Sequence, residues 1–196
     1  RSSNECRGCR ARSLGRSTPI FTRPVDLRTL DLPELTWEGY VTPYGIGLLA
    51  RADDLPLCLE LPAAGRRPIP SPAGASAWRS RLERYFTGQP VDFELDLGAF
   101  AAAWRLTPFQ TAVYAALARL PYGVAVSYRD LATAAGRPRA WRAVGTALAA
   151  NPLPIILPCH RVVRNDGRLG EYGGRPEWKA RLLRREGLTV GDGRLS

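Results

Sequence analysis

Residues 151–163 read NPLPIILPCHRVV, and the rest of the chain is read outward from them. Ile155, Ile156 and Leu157 form a short apolar run closed by Pro154 and Pro158. A run that short suits a buried strand better than a helix. Cys159 follows at once, where a strand end aims a side chain into a cleft, and His160 is the only histidine in the chain. A thiol is a strong nucleophile only as the thiolate, which needs a base or a positive field beside it. Neighbouring residues on an extended chain point to opposite sides. Proton transfer between Cys159 and His160 is therefore expected to run through a water or a bend. The plain alternative is a core cysteine, since free cysteines are among the most buried residues.

Upstream, Thr107-Pro108-Phe109-Gln110 opens a helix, with Thr107 as N-cap and Pro108 in the first helical position. Its apolar face is Val113, Leu117 and Leu120, and Pro121 and Gly123 stop it. Ser127, with Asp130 three residues on, comes close to a capping box for a second helix. Leu131 and Ala135 face inward there, and Gly136 ends it. A third helix is predicted from Pro138 to about Ala149. Helix, glycine turn, helix is a helix-turn-helix pattern. The arginines here are Arg137, Arg139 and Arg142, set among the small residues Ala140, Ala143, Gly145 and Ala147. Small residues let a helix backbone come close, which suits a narrow minor groove. A protruding Arg142 then fits the gap left by an extruded base. The alternative is a packed helix with solvated arginines.

Downstream, residues 161–168 read as a hairpin turning at Asn165-Asp166-Gly167. A hairpin after a helix-turn-helix makes a winged helix. Gly170 to Gly174 (GEYGG) is a pliant loop with one aromatic, Tyr172, to cover a base. A last helix starts at Pro176 and stops at Gly187, with Trp178, Leu182, Leu183 and Glu186 on one face. An inward carboxylate needs a partner. His160 is the natural one and an arginine is the alternative. Cysteine, histidine and inward glutamate together make an activated-nucleophile relay.

PCHRV, preceded by Asn-Pro and an apolar run, resembles the active-site signature of the O6-alkylguanine-DNA alkyltransferases. The resemblance is close over residues 104–188 and looser over 40–100. It implies a single-turnover DNA repair protein that flips O6-alkylguanine out of duplex DNA and transfers the alkyl group irreversibly to Cys159. It implies His160 as base through a water, Glu186 holding the imidazole, Asn151 bracing the network and Tyr128 giving a proton to the departing guanine. Val162, Tyr172, Gly173 and Gly174 are implied as the base pocket. Arg142 matches by spacing the arginine that intercalates where the base was. Trp141 departs from the family pattern, which has a small residue there; it is expected to alter groove fit or to stack on a sugar or base. No cofactor or metal is expected in the chemistry. The expected partner is double-stranded DNA containing O6-alkylguanine, with no membrane, a monomeric chain, cooperativity on DNA left open, and a bacterial-type cytoplasmic location.

Two rival readings differ in class. A lesion-binding protein of the alkyltransferase-like kind flips the base without repairing it, but such proteins lack the cysteine. A plain winged-helix DNA-binding module would keep Cys159 as core.

Composition bounds these readings. A chain of 196 residues, 45% hydrophobic, supports a proper core, and a net charge of +10 favours a polyanionic partner. Lys179 is the only lysine, and arginine suits phosphate forks and groove insertion. A GC-rich genome writing Arg for Lys is the compositional alternative. No apolar stretch approaches the ~18 residues of a membrane span. Residues 1–16 are basic without the apolar segment of a secretory signal. With no methionine in the chain, position 1 is not an initiator and a processed chain is expected. Four irregularly spaced cysteines do not make a disulfide framework, so a reducing compartment is expected. Cys6 and Cys9 make a C-x-x-C; the second pair that zinc needs would have to come from Cys58, Cys159 and His160, which would consume the presumed active site. The C-x-x-C resembles the end of a zinc-bound module found in some bacterial relatives, without the upstream half. Cys58, between leucines, reads as core.

The expected organisation is a flexible basic tail (1–18), an amino-terminal α/β domain of a small antiparallel sheet plus a helix (19–98), a link (99–106), a mostly α winged-helix domain with a helix-turn-helix (107–190), and a short tail (191–196). Within the first domain, 37–50 and 57–61 read as strands joined by a turn at 51–54. Residues 62–74 read as a loop, 75–87 as a helix and 91–97 as a strand. No chemistry is read there, and the resemblance implies a structural role.

Overall fold

The computed structural model describes residues 34–69 and 74–196. The expectations for the basic tail and for Cys6 and Cys9 lie outside the described residues.

Three strands, β1 (Leu35–Thr42), β2 (Gly45–Ala52) and β3 (Leu55–Ala63), form an antiparallel meander in the order β1-β2-β3. The stretch 37–50, expected as one strand, is two. Pro43 and Tyr44 turn the chain, Thr42 Oγ1 donates to the Gly45 carbonyl at 2.8 Å, and Gly45 takes the positive φ of 110° that the turn needs. Helix α1 (Ala77–Phe86) lies against β1. Ser76 caps it, its hydroxyl accepting from Arg79 N at 3.1 Å. Glu38, fully buried on β1, accepts from Ser76 N at 3.2 Å and from Arg51 Nε at 3.3 Å. That ties the helix start to the sheet. The inward face of α1 is Trp78, Leu82, Tyr85 and Phe86, as its spacing predicts. Burial of Leu82 alone stabilises by roughly 1.5–3 kcal/mol.

The segment expected as a strand at 91–97 pairs with no strand among the described residues. Phe93 is buried as the alternation predicts, but Asp92 Oδ1 accepts from Glu94 N at 3.0 Å and Glu94 adopts φ 46°, which breaks extended geometry. The alanine-rich stretch expected as a link forms a helix, α2 (Leu97–Ala103), capped by Asp96. Alanine has the highest helix propensity, and a capping aspartate is enough to start it.

Helix α3 (Pro108–Ala118) has the full capping box: Gln110 N donates to Thr107 Oγ1 at 3.2 Å and Thr107 N donates to Gln110 Oε1 at 3.0 Å. A two-residue strand β4 (Val126–Ser127) leads into α4 (Tyr128–Ala134), where Ser127 and Asp130 complete a second box. Helix α5 (Trp141–Ala149) starts three residues later than expected, because Arg137–Ala140 closes a tight turn first, with Ala140 N donating to the Arg137 carbonyl at 2.9 Å.

The apolar run at 155–157 is not a strand. Residues 153–157 form a compact turn, with Leu157 N donating to the Leu153 carbonyl at 2.8 Å and Ile155 at φ 78°. A β-branched residue there is strained. The two flanking prolines remove the ladder donors a strand would need. Every residue from Asn151 to Val163 is buried. Cys159–Arg161 make one turn of 3₁₀ helix, and β5 (Val162–Val163) pairs in parallel with β4. The expected hairpin at 161–168 is therefore replaced by a parallel pair followed by a turn, Arg164 N donating to the Arg168 carbonyl at 2.8 Å. Helix α6 (Pro176–Arg185) follows. The expected tail at 191–196 belongs instead to a small hairpin of β6 (Val190–Gly191) and β7 (Arg194–Leu195). It clasps the 167–169 turn through Leu169 N to the Gly193 carbonyl and Leu195 N to the Gly167 carbonyl, both 2.9 Å.

One apolar core runs from Tyr40 on β1 to Leu182 on α6. Contacts cross it where they bear on the cysteine turn: Leu59 N on β3 donates to the Pro152 carbonyl at 2.8 Å.

Candidate active site

Cys159 opens the 3₁₀ turn at the floor of a pocket of about 200 Å³, walled by Tyr128, Gly145, Leu148, Tyr172 and Lys179. The 3₁₀ turn, not an extended end, presents the thiol. Asn151 braces the stretch before it: its Nδ2 donates to the Leu157 carbonyl at 2.8 Å and its Oδ1 accepts from Leu153 N at 3.0 Å. Leaving either backbone group unpaired in this buried place would cost about 1–3 kcal/mol.

Behind the cysteine lies a buried ionic knot. His160 Nε2 stands 2.7 Å from Glu186 Oε1. A carboxylate only accepts, so Nε2 carries the proton and Nδ1 is left as the free base. Nδ1 is buried and has no protein hydrogen-bond partner. Glu186, the C-cap of α6, also accepts from Arg161 Nε at 2.8 Å, Arg161 Nη2 at 2.9 Å, Tyr85 Oη at 2.8 Å and Gly123 N at 3.2 Å. The sequence left histidine and arginine as alternative partners for this carboxylate; the structure gives it both.

Electrostatics follow from burial. Burial pushes the Cys159 thiol above its ordinary value, opposed by Asn151, the Lys179 ammonium and Tyr172. The Tyr172 hydroxyl is buried and makes no hydrogen bond of regular geometry, so its part is a dipole near the sulfur. Burial holds His160 below the ordinary histidine value, with Glu186 pulling the other way. Burial would raise Glu186, but His160 and Arg161 hold it well below the usual carboxylate range. At neutral pH the site is therefore a protonated thiol, a neutral imidazole and a carboxylate. Burial pushes Lys179 down to about 8, against the pull of Cys159, and its Nζ donates to the Val162 carbonyl at 2.6 Å. Burial also keeps the Tyr128 phenol protonated beyond its ordinary range.

The pocket opens beside a groove of about 670 Å³ lined by Arg129, Trp141, Arg142 and Arg164. Tyr128, Gly145 and Glu171 border both spaces. Arg142 is exposed and its guanidinium stacks 4.7 Å from the Trp141 ring, with Arg129 at 6.0 Å. Arg137, Arg139 and Ala143 are exposed nearby, and Ala140 is half-buried before α5. The expected pocket residues Tyr172, Gly173 and Gly174 line the small pocket. Val162 does not: its side chain is fully buried in the core, because β5 pairing turns it inward. Sequence reasoning missed Lys179, Arg161 and Tyr85. The first was noted only as the sole lysine, the second only as the start of the expected hairpin at 161–168. Tyr85 comes from the region read as free of chemistry. Cys58 is buried in the core beside Ala50, and burial pushes its thiol up to about 12, so it is inert.

Residues 108–188 match the family model of the 6-O-methylguanine DNA methyltransferase DNA-binding domain. The chain is 42% identical over 106 residues to a methylated-DNA–protein-cysteine methyltransferase of Methanosarcina barkeri, spanning 54% of this chain and 64% of that protein. It is 41% identical over 117 residues to the Mycobacterium bovis protein of the same name, spanning 60% of this chain and 68% of that one. Its fold is similar to a crystal structure of Mycobacterium tuberculosis OGT in complex with DNA, with TM-score 0.61, 34% identity, and 77% of this chain and 92% of that chain covered.

Proposed function

The chain belongs to the O6-methylguanine-DNA methyltransferase family, and from that premise we propose that it is a single-turnover repair protein that moves the alkyl group of O6-alkylguanine in duplex DNA onto Cys159. The observation that carries this reading is the placement of Cys159: a lone thiol at the floor of a base-sized pocket, backed by the His160–Glu186 pair and opening beside an arginine-lined groove.

The groove takes duplex DNA. Helices α4 and α5 act as the helix-turn-helix, and the clasped 164–169 turn stands where a wing would. The small residues Ala140, Ala143 and Gly145 let α5 approach the minor groove, with Arg137 and Arg139 on phosphates. A stacked base cannot reach the pocket, so the alkylguanine is extruded and Arg142 fills the gap. Gly173 and Gly174 let the loop lie against the base while Tyr172 covers it.

The chemistry is an in-line displacement. His160 Nδ1, through a water, accepts the Cys159 proton while Glu186 holds Nε2–H. Lys179 and Asn151 favour the forming thiolate. The sulfur bonds to the alkyl carbon, the carbon–O6 bond breaks, and its electron pair passes into the guanine ring. Tyr128 donates a proton to the departing ring and regains one through solvent from His160. A thioether has no route to hydrolysis, so each molecule acts once. A lesion-binding protein without repair is disfavoured by Cys159 itself.

The test is a duplex carrying O6-[methyl-labelled]guanine. Label should pass to the protein and map to the Cys159 peptide, and Cys159→Ser should bind the duplex without taking label. Transfer by the serine variant near the parent rate would sink the assignment, since a neutral hydroxyl is a far weaker nucleophile.

A further inference from the structure

Tyr85 is a fully buried residue of α1, far in sequence from the cysteine turn. Its hydroxyl donates to Glu186 Oε1 at 2.8 Å and stands 3.3 Å from His160 Nε2. Its ring packs edge-on to His160, Phe86 and Tyr122. A buried tyrosine hydroxyl needs a partner, and a backbone carbonyl would satisfy it. Here it lands on the very oxygen that holds the imidazole.

We propose that Tyr85 is a positioning residue of the relay: its hydroxyl, delivered by α1, fixes Glu186 Oε1 on His160 Nε2 and shares the charge of that oxygen. The inference rests on the reading of Cys159, His160 and Glu186 given above. Oε1 is shared among His160, Tyr85 and Arg161 Nη2. Each donor to Oε1 leaves less of its charge to stabilise an imidazolium. Removing the hydroxyl therefore favours charged His160, and the base needed for thiol activation is lost at a higher pH.

Charged and titratable groups from several elements act on His160. Glu186 raises its affinity for a proton; Arg161 on its own turn and Lys179 on α6 lower it. Tyr85 from α1 touches it directly, and Tyr122, after α3, packs on Tyr85 and accepts no proton from it. Among the described residues, Tyr85 is the side chain from α1 that hydrogen-bonds to the His160–Glu186 pair itself. The region read from sequence as purely structural thus supplies part of the activation machinery.

The experiment uses the full chain with any histidine tag removed, so that His160 gives the only imidazole signal. Its titration is followed by NMR in the parent, in Tyr85→Phe, and in Leu82→Ala, which opens a cavity on the same helix but keeps the hydroxyl. Reaction with free O6-benzylguanine is followed across the same pH range. Tyr85→Phe should move the His160 titration and the acid limb of the rate up together by about half to one unit. Below both limbs the rate then falls roughly three- to tenfold. Leu82→Ala should lower the melting temperature and leave the titration in place. An unmoved titration in Tyr85→Phe, or an equal shift in Leu82→Ala, overturns the proposal. If Tyr85→Phe does not fold, the parent decides: a slowly exchanging Tyr85 hydroxyl proton close to the His160 ring supports it, and a freely exchanging one overturns it. A titration that shifts in a protein that takes no alkyl group would instead refute the repair reading and leave the Tyr85 linkage standing.

Discussion

Glu186→Gln perturbs one atom and five hydrogen bonds. The carboxylate accepts from Tyr85, His160, Gly123 and twice from Arg161. The amide keeps one acceptor oxygen and turns two N–H donors toward groups that are themselves donors. Arg161, only 7% exposed in its side chain, loses its counter-ion. Breaking a buried ion pair from one side typically costs about 3–5 kcal/mol. For a chain of this size that is a fall of roughly 6–20 °C in melting temperature. The chemistry suffers separately, because His160 loses its orientation and positioned proton transfer contributes about 10²–10⁴-fold. Reaction with free O6-benzylguanine, which needs no base flipping, should slow by at least about tenfold. Loss of the carboxylate also removes the one group raising His160, so the residual activity should persist to lower pH. Thermal melts and single-turnover rates on the free base check both parts. A variant that melts within a degree or so of the parent and reacts at the parent rate would refute the relay and make Glu186 a spectator.

Arg142→Ala should slow repair of duplex DNA far more than reaction with free O6-benzylguanine if, as proposed, the arginine fills the base stack and leaves the thiol untouched; equal losses on both substrates would assign it to folding or chemistry. Trp141→Ala should speed duplex repair by about two- to fivefold, because the ~0.5–1 kcal/mol of cation–π stacking on Arg142 no longer has to be broken; a slower variant would place the indole itself on DNA. His160 is held below the ordinary histidine value, so between the two values the unfolded chain binds the proton first and the folded one does not. Its contribution to stability is then full above about pH 6.5 and is lost as pH falls through the folded value. Melts and transfer rates should both decline on that acid side, and an activity rising below pH 6 would contradict a neutral His160.

What the sequence made legible were features with local causes. The N-cap at Thr107, the near capping box at Ser127, the inward face of α1 and the buried side of Glu186 all follow from spacing on one helix. The misreadings came from signals decided elsewhere in the fold. The 91–97 alternation was real, but among the described residues it pairs with no strand. Three apolar residues between prolines at 154 and 158 look the same in a strand and in a buried turn. At 161–168 the turn at Asn165-Asp166-Gly167 is present, Arg164 N donating to the Arg168 carbonyl, but its flanks do not form a strand pair, and Val162 and Val163 pair with β4. Lys179 and Tyr85 could not be read at all: each reaches the site through a backbone path set by tertiary packing, and neither sits in a motif.

The most direct test of the central claim is the stoichiometry of transfer. The protein is titrated against excess duplex containing O6-methylguanine, and intact mass and peptide mapping are read at completion. One methyl group per protein molecule, on Cys159, with no further repair after that point, is the predicted result. Repair of many lesions per molecule, or a methyl group on any other residue, would contradict it.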